Sequence, residues 1–315
     1  MTRLPVYAFC SVRGGVGKST LASVAAALLG AKGRTAVLDL DFTGTSLADG
    51  LGLSPPDLDP LEDGRLDMVQ ASGRPPLPPD RVYALWRKRA GEDAPWGRHL
   101  PYLNDALVPK HAGPTHLATI AWSKPGHPGV AWFPSSPTPR DVEAGVGWLY
   151  SESNREAWQA RFRELLGRLP QDLPGLAYVV LDLPTGLWGF AHYALRTLAG
   201  NNGPADAWRP HPYLVFTPDT NDRRQALDRY PRAYRILPEM RLLLNRNTMS
   251  LTEVQRLIQV ENQDDFGMAG LERMVLEVGE HPSTLGRVFL GGDIDVGDAL
   301  RANLEGILRI GGGHV

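Results

Sequence analysis

Cysteine is almost missing from this chain: Cys10 is the single one. That excludes a disulfide framework and a metal site built from cysteines of one chain. Set inside an apolar run, Cys10 reads as packing. No apolar run reaches the roughly 18 residues a membrane-spanning helix needs. Lysine is scarce too, with five among 33 basic residues, so arginine carries most of the positive charge. A formal charge of −2 gives no general pull toward nucleic acid or anionic lipid; such affinity has to come from a local patch. Met1-Thr2-Arg3-Leu4-Pro5 runs straight into an apolar strand and leaves no room for a signal peptide, which predicts a cytoplasmic protein. No internal repeat is visible. With 315 residues, 43% of them hydrophobic, the chain can bury the core of one large α/β domain spanning 1–315.

The informative stretch is Ser11-Val12-Arg13-Gly14-Gly15-Val16-Gly17-Lys18-Ser19-Thr20. An apolar run, Val6–Cys10, precedes it, and an Ala/Leu-rich run, Leu21–Leu29, follows. The order is strand, glycine-rich turn, helix. In such a turn backbone N–H groups converge at a helix N-terminus, where partial positive charge favours an anion. Glycines leave no Cβ between main chain and polyphosphate. Lys18 can then reach the β- and γ-phosphates, and the Ser19 hydroxyl is placed for Mg²⁺. The strict pattern G-x-x-x-x-G-K-[ST] asks for Gly at position 12, where this chain has Val12.

Two more strand ends carry acids. Thr35–Asp41 is a buried strand ending in Asp39 and Asp41, and Tyr178–Leu183 brings four apolar residues to Asp182, as a Walker B strand does. Open parallel sheets bind ligands beyond the carboxyl ends of their strands, so acids there are useful. A buried Asp182 is rigidly placed to hold Mg²⁺ or its bound water. Further strands are expected at Val130–Phe133, Pro212–Phe216, Met240–Asn245 and Arg287–Leu290. Helices are expected at 19–32, Asn154–Leu169, Leu251–Val260, Gly267–Glu280 and Val296–Ile310. The last of these carries Asp298 and Glu305 against Arg301 and Arg309, so core packing outweighs a membrane-targeting role.

From Ser54 to Pro128 the composition shifts. This stretch holds 13 of the 27 prolines, which discourage long helices. It reads as a Pro-rich insertion, 54–128, near the active face, either a partner-binding arm or lid or a surface elaboration. One helical piece, Arg81–Arg89, combines Tyr83 and Trp86 with a cationic cluster, a weak signal for nucleic acid. Arg223, Arg224, Arg229, Arg232 and Arg235 form a second basic run, expected as a salt-bridged surface, with DNA or a partner as the lesser reading.

The glycine-rich motif resembles the deviant Walker A motif, K-G-G-x-G-K-[ST]-T, of the ParA/MinD family of ATPases, with Arg13 in place of the first lysine. The order of the later elements fits that family too, over residues 3–50 and 130–310. The resemblance implies a doubly wound, mostly parallel sheet of about seven strands, a P-loop NTPase of the SIMIBI-like kind. It implies ATP and Mg²⁺ as cofactors. Gly14, Gly15, Val16, Gly17, Lys18, Ser19 and Thr20 would surround the phosphates, and Asn245 would read adenine. Ser19, Asp39 and Asp182 would lie at the metal. Asp41 would aim the attacking water, with Lys18 and Arg13 as catalytic cations, Arg13 acting across an ATP-dependent homodimer. Family members carry Pro-Gln-Gly after the D-x-D strand where this chain has Phe42-Thr43-Gly44, and Ile-Pro where it has Gly291-Gly292-Asp293. The implied activity is slow, partner-stimulated ATP hydrolysis used to position, partition or assemble a cargo. A scaffold that binds nucleotide with little turnover is the alternative, and an iron–sulfur carrier or synthetase on the same fold is a third. The lone Cys10 argues against a cluster bridging two subunits. A protein partner is expected, DNA stays open, and a membrane is disfavoured.

Overall fold

A computed structural model describes residues 3–42, 47–56, 58–60, 66–68, 101–108, 116–137, 139–149, 151–200, 207–245, 251–265, 275–279 and 298–312. Its frame is a seven-stranded sheet, all of whose pairings are parallel. The strands are β1 (Leu4–Ser11), β2 (Arg34–Asp39), β5 (Val130–Phe133), β6 (Leu176–Thr185), β7 (Trp208–Phe216), β8 (Arg241–Asn245) and β9 (Val275–Gly279), in spatial order β5-β2-β6-β1-β7-β8-β9. β3 (Leu58–Pro60) and β4 (Leu66–Met68) form a separate antiparallel pair. The doubly wound α/β architecture expected from the sequence is therefore the one observed.

Strands buried on both faces read as continuous apolar runs, and β1 shows why. Its side chains alternate between two cores, with Val6, Ala8 and Cys10 on one face and Tyr7 and Phe9 on the other. The first core is closed by helices α5 (Arg155–Asp172), α6 (Gly189–Leu198) and α7 (Thr220–Ile236). The second is closed by α1 (Lys18–Gly30), by the short α2 (Leu47–Leu51) and by α9 (Asp298–Gly312), where Leu300, Leu304, Ile307 and Leu308 are buried. The C-terminal helix thus spends its apolar face on the core, as its charge pattern predicted. The Trp158, Phe162, Leu165, Leu166 and Leu169 stripe of α5 is likewise buried. α8 spans Leu251–Asp265.

One expectation is overturned. The stretch read as a helix over Gly267–Glu280 contains β9, whose Val275 and Leu276 register with Leu242 and Leu243 of β8. Alternating Val and Leu beside an open sheet edge favour pairing over a helical turn. Helices at α4 (Pro139–Leu149) and α6 were not anticipated. The expected strand Arg287–Leu290 and the turn Gly291-Gly292-Asp293 lie outside the described residues, as does Arg81–Arg89.

Apart from the β3–β4 pair, the described parts of 54–128 pack onto the body. Ser54 and Ser123 exchange backbone hydrogen bonds at 2.8 and 2.9 Å, bringing the two ends of the stretch together. Leu103 and Leu107 of α3 (Leu103–Leu107), with Leu117 and Ile120, pack into the first core. Trp122 and Tyr102 enter the second. At Gly129 the chain passes so close to α1 that a Cβ would collide with the Gly30 carbonyl oxygen.

Candidate functional site: the carboxyl ends of β1, β2 and β6

β1 ends at Ser11, and the chain turns through residues 12–17 into α1. Gly15 and Gly17 take φ of 77° and 84°, the left-handed region glycine enters without strain, and Gly17 is the N-cap of α1. A Cβ at Gly14 or Gly15 would meet no heavy atom within 4 Å, so the loop faces open space. No side chain caps this helix start. That leaves the first amides of α1 to an anion.

Lys18 is 6% exposed, and its ammonium donates to Asp182 Oδ1 and, at 3.2 Å, to Ser19 Oγ. Asp182 sits on β6 beside β1, paired in register with Phe9 on one side and Asp39 on the other. Burial pushes its carboxyl above the usual range, and Lys18 opposes that. Asp39 is raised to about 7, first by burial and then by the charge of Asp182. Parallel pairing therefore sets two buried carboxylates side by side, and the Lys18 cation offsets their repulsion.

Among the described residues Asp39 accepts four hydrogen bonds. Its Oδ1 accepts from the Asp41 amide at 3.1 Å. Its Oδ2 accepts from the Leu47 amide at 3.0 Å, the Ser135 amide at 3.2 Å and the Ser135 hydroxyl at 2.8 Å. It anchors the loop that carries Asp41, which is half-buried, and it ties that loop to the turn after β5. Asn245, at the end of β8, donates from Nδ2 to the Val16 carbonyl at 2.7 Å. Its described contact is with the loop itself. Arg13 lies at the rim, 46% exposed, with Nη1 3.5 Å from Asp219 Oδ1. Asp219 caps α7 by accepting from the Asn221 and Asp222 amides. Asp222 in turn holds the turn after β7, accepting from Thr217 N–H and Oγ–H at 2.6 and 2.8 Å.

Beyond β6, Thr185 leads to Gly186, whose amide donates to the Ser11 carbonyl at 2.7 Å. A Cβ on Gly186, at φ 93°, would collide with the Trp188 indole. The glycine-rich loop and the turn after Asp182 are therefore directly bonded. Sequence reasoning missed Ser135, Asp219 and Trp188. Only Asp219 had a local signal, a capping residue just ahead of a helix.

The residues suit a nucleoside triphosphate with its magnesium. Mg²⁺ commonly takes one or two carboxylates with phosphate and water, so the Ser19 and Asp182 donors suffice although no group of three His, Cys, Asp or Glu occurs among the described residues. The loop amides and Lys18 supply the positive surroundings for phosphate.

A central β1 bearing such a loop beside an acid-tipped β6 in a parallel, doubly wound sheet is the fold of a P-loop NTPase. Residues 5–70 match the ParA family model, described as NUBPL iron-transfer P-loop NTPase. The whole chain shares its fold with solved ParA/MinD proteins. A plasmid partition protein of Borrelia burgdorferi bound to AMPPNP has 15% identity and a TM-score of 0.57, covering 98% of each chain. MinD of Pyrococcus horikoshii, complexed with Mg-ADP, has 16% identity and a TM-score of 0.55, covering 99% of this chain and 98% of its own. A ParA family ATPase of Chlorobium tepidum has 14% identity and a TM-score of 0.54, covering 96% and 98%. No curated protein matches in sequence. The ParA/MinD resemblance read from the motif is borne out by the family match and the fold.

Proposed function

We propose that this chain is a ParA/MinD-like ATPase switch: it binds ATP with Mg²⁺, dimerises when ATP is bound, hydrolyses it slowly, and so positions, partitions or assembles a cargo. The observation that supports this most is the Lys18–Asp182 pair beneath an uncapped helix start, which joins the loop of β1 to the acid of β6. Loop amides from Gly14 to Thr20 and the Lys18 ammonium bind phosphate oxygens, and Ser19 and Asp182 hold the metal with Asp39 beside it. Bound magnesium supplies charge neutralisation for phosphoryl transfer, a reaction that depends mainly on positioning and electrostatics.

With a triphosphate bound, the Lys18 ammonium would serve its oxygens and the Asp182 carboxylate would be available to hold the metal. Asp41 orients the attacking water from a loop held by Asp39. Gly186, bonded to Ser11, relays the state of the loop to the Leu187-Trp188 turn. Asn245 supports the loop through Val16 and stands on the strand end where adenine is expected. The exposed Arg13 is the cation offered to a second copy. A guanidinium keeps the charge of the family's lysine and adds a planar fork of donors. Its contact with Asp219 is a surface pair of little energy, easily exchanged for a partner's phosphate.

In this reading the chain is a single ATPase domain, 1–315, with 54–128 as its insertion and partner-binding arm, and it acts in the cytoplasm. Among the described residues no helix is long and apolar enough to cross a membrane. The iron-transfer description of the matched family is not carried over. Cys10 is buried, its thiol donates to the Tyr213 carbonyl at 3.3 Å, and burial pushes it up to about 12. A cluster bridging two subunits needs paired, reachable thiolates.

Light scattering with and without ATP, alongside phosphate release, tests the proposal. Wild type should dimerise with ATP and turn over slowly. Asp41→Ala should dimerise but not turn over, and Arg13→Ala should bind ATP as a monomer. Dimerisation with no turnover in wild type would instead select the scaffold reading. Unchanged dimerisation and turnover in Arg13→Ala would remove the trans role.

A further inference from the structure

Two adjoining cavities, of about 400 and 340 Å³, share His192, Arg232 and Ile236 and form one groove between α6 and α7. Its inner end is set by Val12 and Gly186, the residues of the phosphate loop and of the turn bonded to it. Trp188, 61% exposed, stands at the same end. The floor is apolar, from Leu187 and Leu195 to Ile236, and the outer end is cationic, from Arg196, Arg232 and Arg235.

The other arginines of α7, of which Arg229 also lines the groove, are paired with carboxylates. Arg223 is bound to Glu261 through two hydrogen bonds, Arg224 lies 3.6 Å from the same carboxylate, and Arg229 pairs with Asp228. Arg196, Arg232 and Arg235 have no carboxylate within ion-pair distance among the described residues. Between them, His192 Nδ1 is buried without a hydrogen-bond partner among the described residues. Burial and the surrounding Arg232, Arg196 and Arg155 hold that imidazole below its ordinary pKa. Arg235 Nε donates to the Pro231 carbonyl at 3.4 Å, so what the groove lacks among the described residues is a carboxylate for its guanidinium groups and a partner for one imidazole nitrogen, both at the rim of an apolar floor.

We infer that the α6–α7 groove docks an acidic peptide segment of a partner protein, its carboxylates on Arg196 and Arg232 and an apolar side chain on the floor beside Trp188. Charge complementarity fixes the sign of the occupant, and the floor fixes its amphipathic character. Duplex DNA fits less well. Its phosphates lie on a convex rod too wide for cavities of this size, so it would meet the rim and leave the floor wet. Docking at Val12 and Gly186 reaches the nucleotide loop directly, a consequence that rests on the ATPase reading, whereas docking itself does not.

Fluorescence anisotropy on the nucleotide-free full chain therefore tests docking apart from ATP chemistry. The probe is a fluorescein-labelled peptide, Glu-Glu-Leu-Glu-Leu-Glu. Saturable binding is expected, at least tenfold weaker in Arg196→Glu/Arg232→Glu, within twofold of wild type in Arg224→Glu, and at least fivefold weaker when both leucines of the peptide are serine. Matched thermal melts check that the variants fold, and among the described residues neither guanidinium is in a carboxylate pair. Equal affinity in the charge-reversed variant overturns the inference, as does equal affinity for the serine peptide. Loss of binding to a 20-base-pair duplex with no effect on the peptide assigns the groove to nucleic acid and overturns it too. A charge-reversed variant whose self-association changes while peptide affinity does not assigns the groove to a second copy and likewise overturns the inference.

Discussion

Cations serve two regions of this molecule in opposite ways. At the carboxyl ends of β1 and β6 a lysine is buried against an aspartate, whereas along the α6–α7 groove the half-buried Arg196 and the exposed Arg232 and Arg235 have no carboxylate within ion-pair distance among the described residues. The buried pair sets two carboxylates and a phosphate loop in place at a cost in desolvation that packing and hydrogen bonds offset. The exposed set adds little to folding and keeps its donors available. Burial sets what each cation does before any ligand arrives: the buried lysine holds carboxylates together, and the arginines at the surface keep their donors open.

Substitutions sharpen that contrast, beginning at the buried pair. Lys18→Ala leaves Asp182 beside Asp39 with no cation. It should lower nucleotide-free stability by about 3 kcal/mol in urea unfolding and weaken ATP binding at least a hundredfold. Next comes Arg223, 5% exposed and doubly bonded to Glu261 across α7 and α8. Arg223→Ala should cost about 3 kcal/mol. Its neighbour Arg224, 62% exposed toward the same Glu261, should cost under about 1 kcal/mol on the same change. Equal losses at the two positions would break the distinction between buried and exposed cations.

The smallest effect concerns Cys10. With its thiol raised to about 12, the thiolate is scarce at pH 8, so a thiol reagent should leave the native chain unlabelled and label it fully in urea. Rapid native labelling would reopen a role for that sulfur.

Much of this was legible in the amino-acid order because the signals are local. Gly14–Thr20 between an apolar strand and an Ala/Leu helix announces a strand, a glycine-rich turn and a helix within ten residues, and Asp39 and Asp182 each lie at the end of a buried apolar run. What could not be read is what these groups touch. Asn245 meets Val16 across 229 residues, and Asp39 meets Ser135 across 96. Such pairings follow from strand order, which no local pattern encodes. The same limit explains β9: its edge position, set by β8, decides a conformation its own residues leave open. The stretch 54–128 was legible as a change in composition. That Leu103, Leu107 and Trp122 are core residues depends on neighbours far along the chain.

Calorimetry with a slowly hydrolysed ATP analogue and Mg²⁺, on wild type and Lys18→Ala, addresses the phosphate loop most directly. One nucleotide should bind per wild-type chain, with binding dependent on magnesium and abolished by the substitution. A wild-type chain that takes up no nucleotide at saturation, or a Lys18→Ala chain that binds as tightly as wild type, would contradict the assignment of this site.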